Sequence, residues 1–145
     1  MVHSLMMGAA KLGLHMSVAT PEGYEPDADI IQQTKDHAAQ TGSTIHVCRD
    51  PKEAIADADI VYTDVWASMG QEAEQKEREL AFAAYQVNEE LTRYAKNDFV
   101  FMHCLPAHRG EEVSEGVIDG GRSIIFDQAE NRLHAQKAIM AAIMS

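Results

Sequence analysis

Apolar positions along the chain switch between two spacings, and the switches mark the elements. Leu5, Met6, Ala9 and Leu12 fall on one helical stripe within Val2 to Leu12, with Ser4 as a candidate N-cap and Gly13 as the stop. His15 to Ala19 reads as a short strand closed by Thr20, Pro21 and Gly23. Pro26 then opens a helix whose stripe of Ile30, Ile31, Thr34, His37 and Ala38 ends at Gly42. Thr44 to Val47 is the next strand, and Asp50 followed by Pro51 caps a short helix through Ala56. Asp59 to Tyr62 is again a strand, and Trp66 to Gly70 is a loop. The polar run Gln71 to Arg78, rich in glutamate, gives a solvated helix face that turns apolar at Leu80, Phe82 and Ala83. Asn88 caps a further helix through Tyr94.

Phe99 to Met102 is apolar at every position, as a central strand covered on both faces requires. Pro106 lacks an N–H and pushes Leu105 towards an extended conformation, so the ladder should end near Cys104. A short helix near Glu111 to Val117, a strand Ser123 to Phe126 and a last helix Ala129 to Met144 complete the pattern. Strands alternating with helices across short loops predict a single α/β domain with a Rossmann-like doubly wound parallel sheet. The series opens on a helix, whereas the strand before that helix would normally lie mid-sheet. The sheet is therefore expected to lack its first strand.

Composition narrows the function. The 145 residues suffice for one domain with a real core, and a net charge of −11 argues against nucleic acid or an anionic membrane as the main partner. No signal peptide or long apolar run is present, and Cys48 and Cys104 form no disulfide framework, so a cytoplasmic, reducing setting is expected. A bridge between the two cysteines is the minor reading. No Gly-rich dinucleotide fingerprint or Walker loop follows any strand.

The candidate chemistry gathers at the carboxyl ends of the strands, where open α/β sheets bind ligands. Asp64 follows Asp59 to Tyr62 and suits an amine; Ser68 and the backbone of the small-residue loop after it suit a carboxylate or hydroxyl. The plainer reading has Asp64 capping the loop and Trp66 in the core. Cys104 is either an inert buried thiol or a reactive one beside Pro106, His108 and Arg109. A metal held by His103 and Cys104 is rejected, because adjacent strand residues point to opposite faces. Arg132 fits a phosphate or carbonyl oxygen, with a helix-face ion pair to Glu130 or Asp127 as the alternative. Cys48, His15, His37, His46 and the methionines are read as packing or surface residues.

Three blocks, Asp64-Val-Trp-Ala-Ser-Met-Gly-Gln71, His103-Cys-Leu-Pro-Ala-His-Arg-Gly-Glu111 and Phe126-Asp-Gln-Ala-Glu-Asn-Arg-Leu-His-Ala-Gln136, together resemble the ornithine-binding half of the ornithine carbamoyltransferases. The resemblance covers residues 1–145. It implies that Asp64 and Ser68 hold the α-amino group of L-ornithine and that the backbone at Met69 lies on its carboxylate side. It further implies that Cys104 lies near the reacting amine, that Leu105 offers its carbonyl, and that Arg132 polarises the carbamoyl oxygen. The implied reaction needs no cofactor and no metal: the neutral δ-amine attacks carbamoyl phosphate, giving citrulline and phosphate, as in arginine biosynthesis and the urea cycle.

The family's carbamoyl-phosphate domain and the Asp-Gly-x-Asn strand end have no counterpart in these residues. The chain is thus expected to be a fragment, inactive alone, that meets carbamoyl phosphate only with the missing N-terminal domain and self-associates through exposed apolar surface. Two alternatives stand beside this reading: a non-catalytic binding module derived from the domain, and a sister transferase half acting on putrescine or another amine.

Overall fold

The computed structural model describes residues 1–67 and 74–144. In chain order the elements are α1 (Val2–Leu12), β1 (Met16–Ala19), α2 (Ala28–Thr41), β2 (Ile45–Cys48), α3 (Pro51–Ile55), β3 (Ile60–Thr63), α4 (Gln75–Phe82), β4 (Val100–His103), α5 (Glu115–Ile118) and α6 (Ile125–Ile143). Two single-turn 3-10 segments, Ala83–Tyr85 and Leu91–Tyr94, lie between α4 and β4.

The strands form two parallel pairs. β1 pairs with β2 from Met16 opposite Ile45 to Ala19 opposite Cys48, and β3 pairs with β4 from Ile60 opposite Val100 to Thr63 opposite His103. A parallel bridge from Phe101 to Ser123 adds a third partner beside β4, with Phe101 N donating to Arg122 O at 2.8 Å and Ile124 N to Phe101 O at 3.0 Å. These pairings reproduce positions 3-2 and 4-5-6 of the doubly wound order 3-2-1-4-5-6. The described residues supply no strand for position 1, between β1 and β3. The Met1 nitrogen lies 3.9 Å from Asp64 Oδ2, so α1 starts beside the end of β3.

Each strand pair has its own core. Met6, Ala9, Ala10, Val18, Ala38 and Ile45 pack α1 and α2 onto β1 and β2. Phe101, Val61, Val113, Ile118, Ile125 and their neighbours form the other core around β3 and β4. Helix α3 touches both, packing on β1, β2 and the Leu91–Tyr94 turn.

Local signals explain most boundaries. Gly13 (φ 77°) and Gly42 (φ 76°) end α1 and α2 in the left-handed conformation that costs glycine least. Asp50 caps α3 by accepting from Lys52 N at 2.9 Å, with Pro51 in the first turn.

Several expectations need correction. α1 begins at Val2, so Ser4 lies inside it and caps nothing. Asp27, not Pro26, fixes the start of α2, because its carboxylate accepts from Asp29 N and Ile30 N. Asn88 does accept from Leu91 N at 3.0 Å, but the turn it opens is 3-10 rather than α. The helix expected from Glu111 starts at Glu115, since Glu112 O is already committed to Val87 N at 2.9 Å. The apolar run Ser123 to Phe126 is not a strand: after one bridge the chain turns into α6 at Ile125, with Ile125 buried and Phe126 exposed. Leu105 is not extended but sits at φ +54° before a cis peptide to Pro106, its N–H donating to His103 Nδ1 at 2.9 Å.

Candidate functional site at the strand ends

Because β3 and β4 are parallel and in register through Thr63 and His103, the residues after them, Asp64 and Cys104, leave the sheet side by side. Cys104 Sγ donates to Asp64 Oδ1 at 3.0 Å. The same oxygen accepts from Val65 N at 2.9 Å, so Asp64 both caps its loop and binds the thiol. Oδ2 faces the Met1 nitrogen and makes no shorter contact among the described residues. The pair is half-buried. Burial, then the acceptor Asp64, pushes the Cys104 thiol above its ordinary range and keeps it protonated at neutral pH.

Tyr62, one residue before the end of β3, has its phenol raised well beyond the usual range, chiefly by burial and then by the neighbouring Cys104. Gln128 lies in the first turn of α6 and accepts from His103 N at 3.0 Å, which ties α6 to the end of β4. Neither Tyr62 nor Gln128 is distinguishable by pattern from a packing residue.

His103 points away from Cys104 into the core, as alternation demands. It and Glu112 are both fully buried, with Nε2 3.2 Å from Glu112 Oε1. Since Nδ1 accepts from Leu105 N, the ring hydrogen belongs on Nε2, donating to the carboxylate. Glu112 Oε1 also accepts from His108 N at 2.7 Å. His103 and Glu112 therefore clamp both ends of the turn that carries Cys104 and Leu105. Periodicity could not reveal Glu112, which reaches His103 across an irregular loop; the only signal was a buried-strand histidine, which requires a polar partner.

Beside the site, Trp66 stacks on Phe82 at 6.2 Å, and Phe82 meets Tyr24 at 4.9 Å and Tyr85 at 5.8 Å edge-on. Arg78 joins this cluster, reaching Trp66 O at 3.3 Å with its guanidinium over the Tyr24 ring. Trp66 is thus held in a partly exposed aromatic cluster rather than a closed core. The cluster anchors the chain just before Ser68 and Met69, which lie outside the described residues.

Arg132 stands one turn beyond Gln128 on α6, exposed, and its side chain makes no hydrogen bond or ion pair among the described residues. The ion pair with Glu130 or Asp127 does not form; Glu130 lies 3.5 Å from His134 instead. Of the residues singled out by sequence, the structure brings Asp64, Cys104 and Leu105 together and leaves Arg132 on the helix leading away from them.

Strand ends carrying a carboxylate, a thiol and a clamped turn, on a Rossmann-like scaffold, place the chain in the class of open α/β domains, in which this edge is the ligand-binding one. More narrowly, the chain belongs to the aspartate/ornithine carbamoyltransferase family, whose Asp/Orn-binding domain matches residues 1–143. It is 62% identical over 144 residues to the ornithine carbamoyltransferase of Anoxybacillus flavithermus, covering 99% of this chain and 46% of that protein. The crystal structure of the ornithine carbamoyltransferase from Pyrococcus furiosus superposes with a TM-score of 0.91 at 57% identity, covering 96% of this chain and 44% of that one. The anabolic enzyme from Campylobacter jejuni superposes at 0.93 with 36% identity, covering 97% and 46%. The chain spans a little under half the length of the relatives it matches. Among the described residues, no helix is long and apolar enough to cross a membrane.

Proposed function

We propose that this chain is the ornithine-binding half of a carbamoyltransferase, which moves a carbamoyl group from carbamoyl phosphate to the δ-amine of L-ornithine once the half that holds carbamoyl phosphate is present. The observation that carries the reading is the Cys104 Sγ to Asp64 Oδ1 hydrogen bond of 3.0 Å at the carboxyl ends of adjacent parallel strands. Oδ1 is committed to the thiol and to Val65 N, so Oδ2, which lies 3.9 Å from the Met1 ammonium, is the oxygen assigned here to a substrate ammonium.

In this reading Asp64, with Ser68, receives the α-ammonium of ornithine, and the backbone at Met69 lies towards its carboxylate. Cys104, kept protonated, sits against the δ-amine, so no second anion holds that amine in its charged form. Leu105 offers its carbonyl to an N–H of the reacting groups, with its main chain fixed by His103. Arg132, exposed on α6, is the group for the developing oxyanion. Rate enhancement then comes from positioning and oxyanion stabilisation, with no cofactor and no metal.

Two measurements test this. Calorimetric titration of the purified chain is expected to show binding of L-ornithine in preference to putrescine, which lacks the carboxylate, and Asp64→Asn is expected to weaken the binding of both amines. Citrulline formation is expected to be undetectable with the chain alone and to appear when a family carbamoyl-phosphate half, including its Asp-Gly-x-Asn strand, is added in trans. Equal binding of putrescine would refute the ornithine assignment, and full turnover by the chain alone would refute its standing as a half-enzyme.

A further inference from the structure

A second cluster of chemistry-bearing side chains lies away from the strand-end site and takes no part in the reading above. His46 and Cys48 are two apart on β2 and therefore project from the same face. After Cys48 the chain turns through Arg49 and Asp50 into α3, whose third residue, Glu53, is carried back over that face. His46 Nε2 and Glu53 Oε1 are 2.9 Å apart, and these two atoms and Cys48 Sγ all lie within 4.8 Å of one another. Three atoms bound to one tetrahedral ion, at roughly 2.0–2.3 Å each, stand about 3.3–3.8 Å apart, so small rotations of side chains close the set.

The donor set also selects the ion. One imidazole, one thiolate and one carboxylate match Zn²⁺ and its chemical neighbours, whereas Mg²⁺ and Ca²⁺ require oxygen donors throughout. Three protein ligands leave a fourth position for water, and His46 and Glu53 are more than half exposed, so the site is open to entry from solvent. The cations flanking the ligands are turned elsewhere. Arg49 pairs with Glu25 and donates to Pro21 O, and the Lys52 ammonium lies over the Tyr94 ring at 5.4 Å. Neither occupies the space between the three ligand atoms.

We propose that His46, Cys48 and Glu53 form a surface site for a single Zn²⁺-like divalent transition-metal ion, tying the end of β2 to the first turn of α3. Because α3 packs against both β1 and β2 and against the Leu91–Tyr94 turn, the ion would brace the joint between the two strand pairs.

Co²⁺ is the probe, since thiolate ligation gives an absorption band that carboxylate or imidazole alone does not. The purified 145-residue chain is expected to bind one Co²⁺ with a thiolate-to-cobalt charge-transfer band, bleached stoichiometrically by Zn²⁺. Cys48→Ser is expected to abolish the band. His46→Gln and Glu53→Gln each remove a ligand and are expected to weaken Co²⁺ binding by about tenfold or more, since the loss of even an outer-shell partner of a ligand costs about that much. Cys104→Ser is expected to retain the band unchanged. No band with millimolar Co²⁺, a band that survives Cys48→Ser, or a band lost in Cys104→Ser would overturn the proposal. Circular dichroism checks that each variant is folded. Glu53→Gln, at an exposed position, decides the matter should His46→Gln unfold.

Discussion

Replacing Glu112 with glutamine tests whether a buried carboxylate holds the turn that carries Cys104. In the wild type the carboxylate is fully buried, and one oxygen accepts from His103 Nε2 and from His108 N. Burial alone would raise its pKa. The hydrogen bonds from His103, from the His108 backbone and from its own backbone outweigh that effect and hold it below the ordinary carboxylate value of 4.5. Glutamine keeps one acceptor oxygen and the side-chain shape but removes the charge that strengthens both bonds. It also places an amide where Oε2 has no partner among the described residues. A hydrogen bond to a charged group contributes about 1.5–3 kcal/mol, against about 1 for a neutral one, and an unsatisfied buried amide costs about 1–3 kcal/mol. The expected loss is therefore about 2–4 kcal/mol, a Tm drop of roughly 5–15 °C at about 2–4 °C per kcal/mol for a domain near this size.

The same group sets a pH dependence. A depressed folded-state pKa contributes stability that is present above the unfolded value and lost as pH falls through the folded one. Urea unfolding of the wild type should therefore weaken steadily below about pH 4.5, whereas Glu112→Gln, already destabilised, should show a shallower acid limb. A variant within about 0.5 kcal/mol of wild type at pH 7, or with an equally steep acid limb, would show that the clamp does not hold the turn.

Two further outcomes are expected. Alkylation of Cys104 by iodoacetamide, mapped by mass spectrometry, should be slow at neutral pH and accelerate only above pH 9, because burial and Asp64 raise the thiol; Asp64→Asn should move that profile to lower pH. Phe126, Leu133, Ile139 and Ile143 on α6 are each more than half exposed, so light scattering should detect dimers or larger species, diminished by Leu133→Glu with Ile139→Glu.

What could be read from the sequence was what depends on neighbours in the chain. Gly13, Gly42 and the Asp50-Pro51 pair mark helix ends through their own backbone preferences, and the ends of β3 and β4 followed from hydrophobic runs and from Pro106. Ser123 to Phe126 misled because four apolar-rich residues fit a buried strand and a helix start equally well, and only packing of Ile125 decides. Leu105 departed from its expected conformation because a side chain two residues back captures its N–H. The Asp64 and Cys104 pairing was legible as a shared strand edge, whereas Tyr62, Gln128 and Glu112 join the site only through contacts that no spacing rule encodes.

The division of the sheet into two pairs, each with its own apolar cluster, bears on what can open without harm. Asp64, Cys104, His103, Glu112 and Gln128 all belong to the half built on β3 and β4, and the hydrogen bonds among them stay within residues 62–128. The β1 and β2 half is joined to them through α3, through Tyr24 against Phe82 and Arg78, and through Tyr85 Oη donating to Arg49 O, with no ladder between the two pairs among the described residues. Partial unfolding that released α1, β1, α2 and β2 would therefore leave the thiol still bonded to its carboxylate, so amide exchange in the first half can be rapid while the strand-end geometry persists.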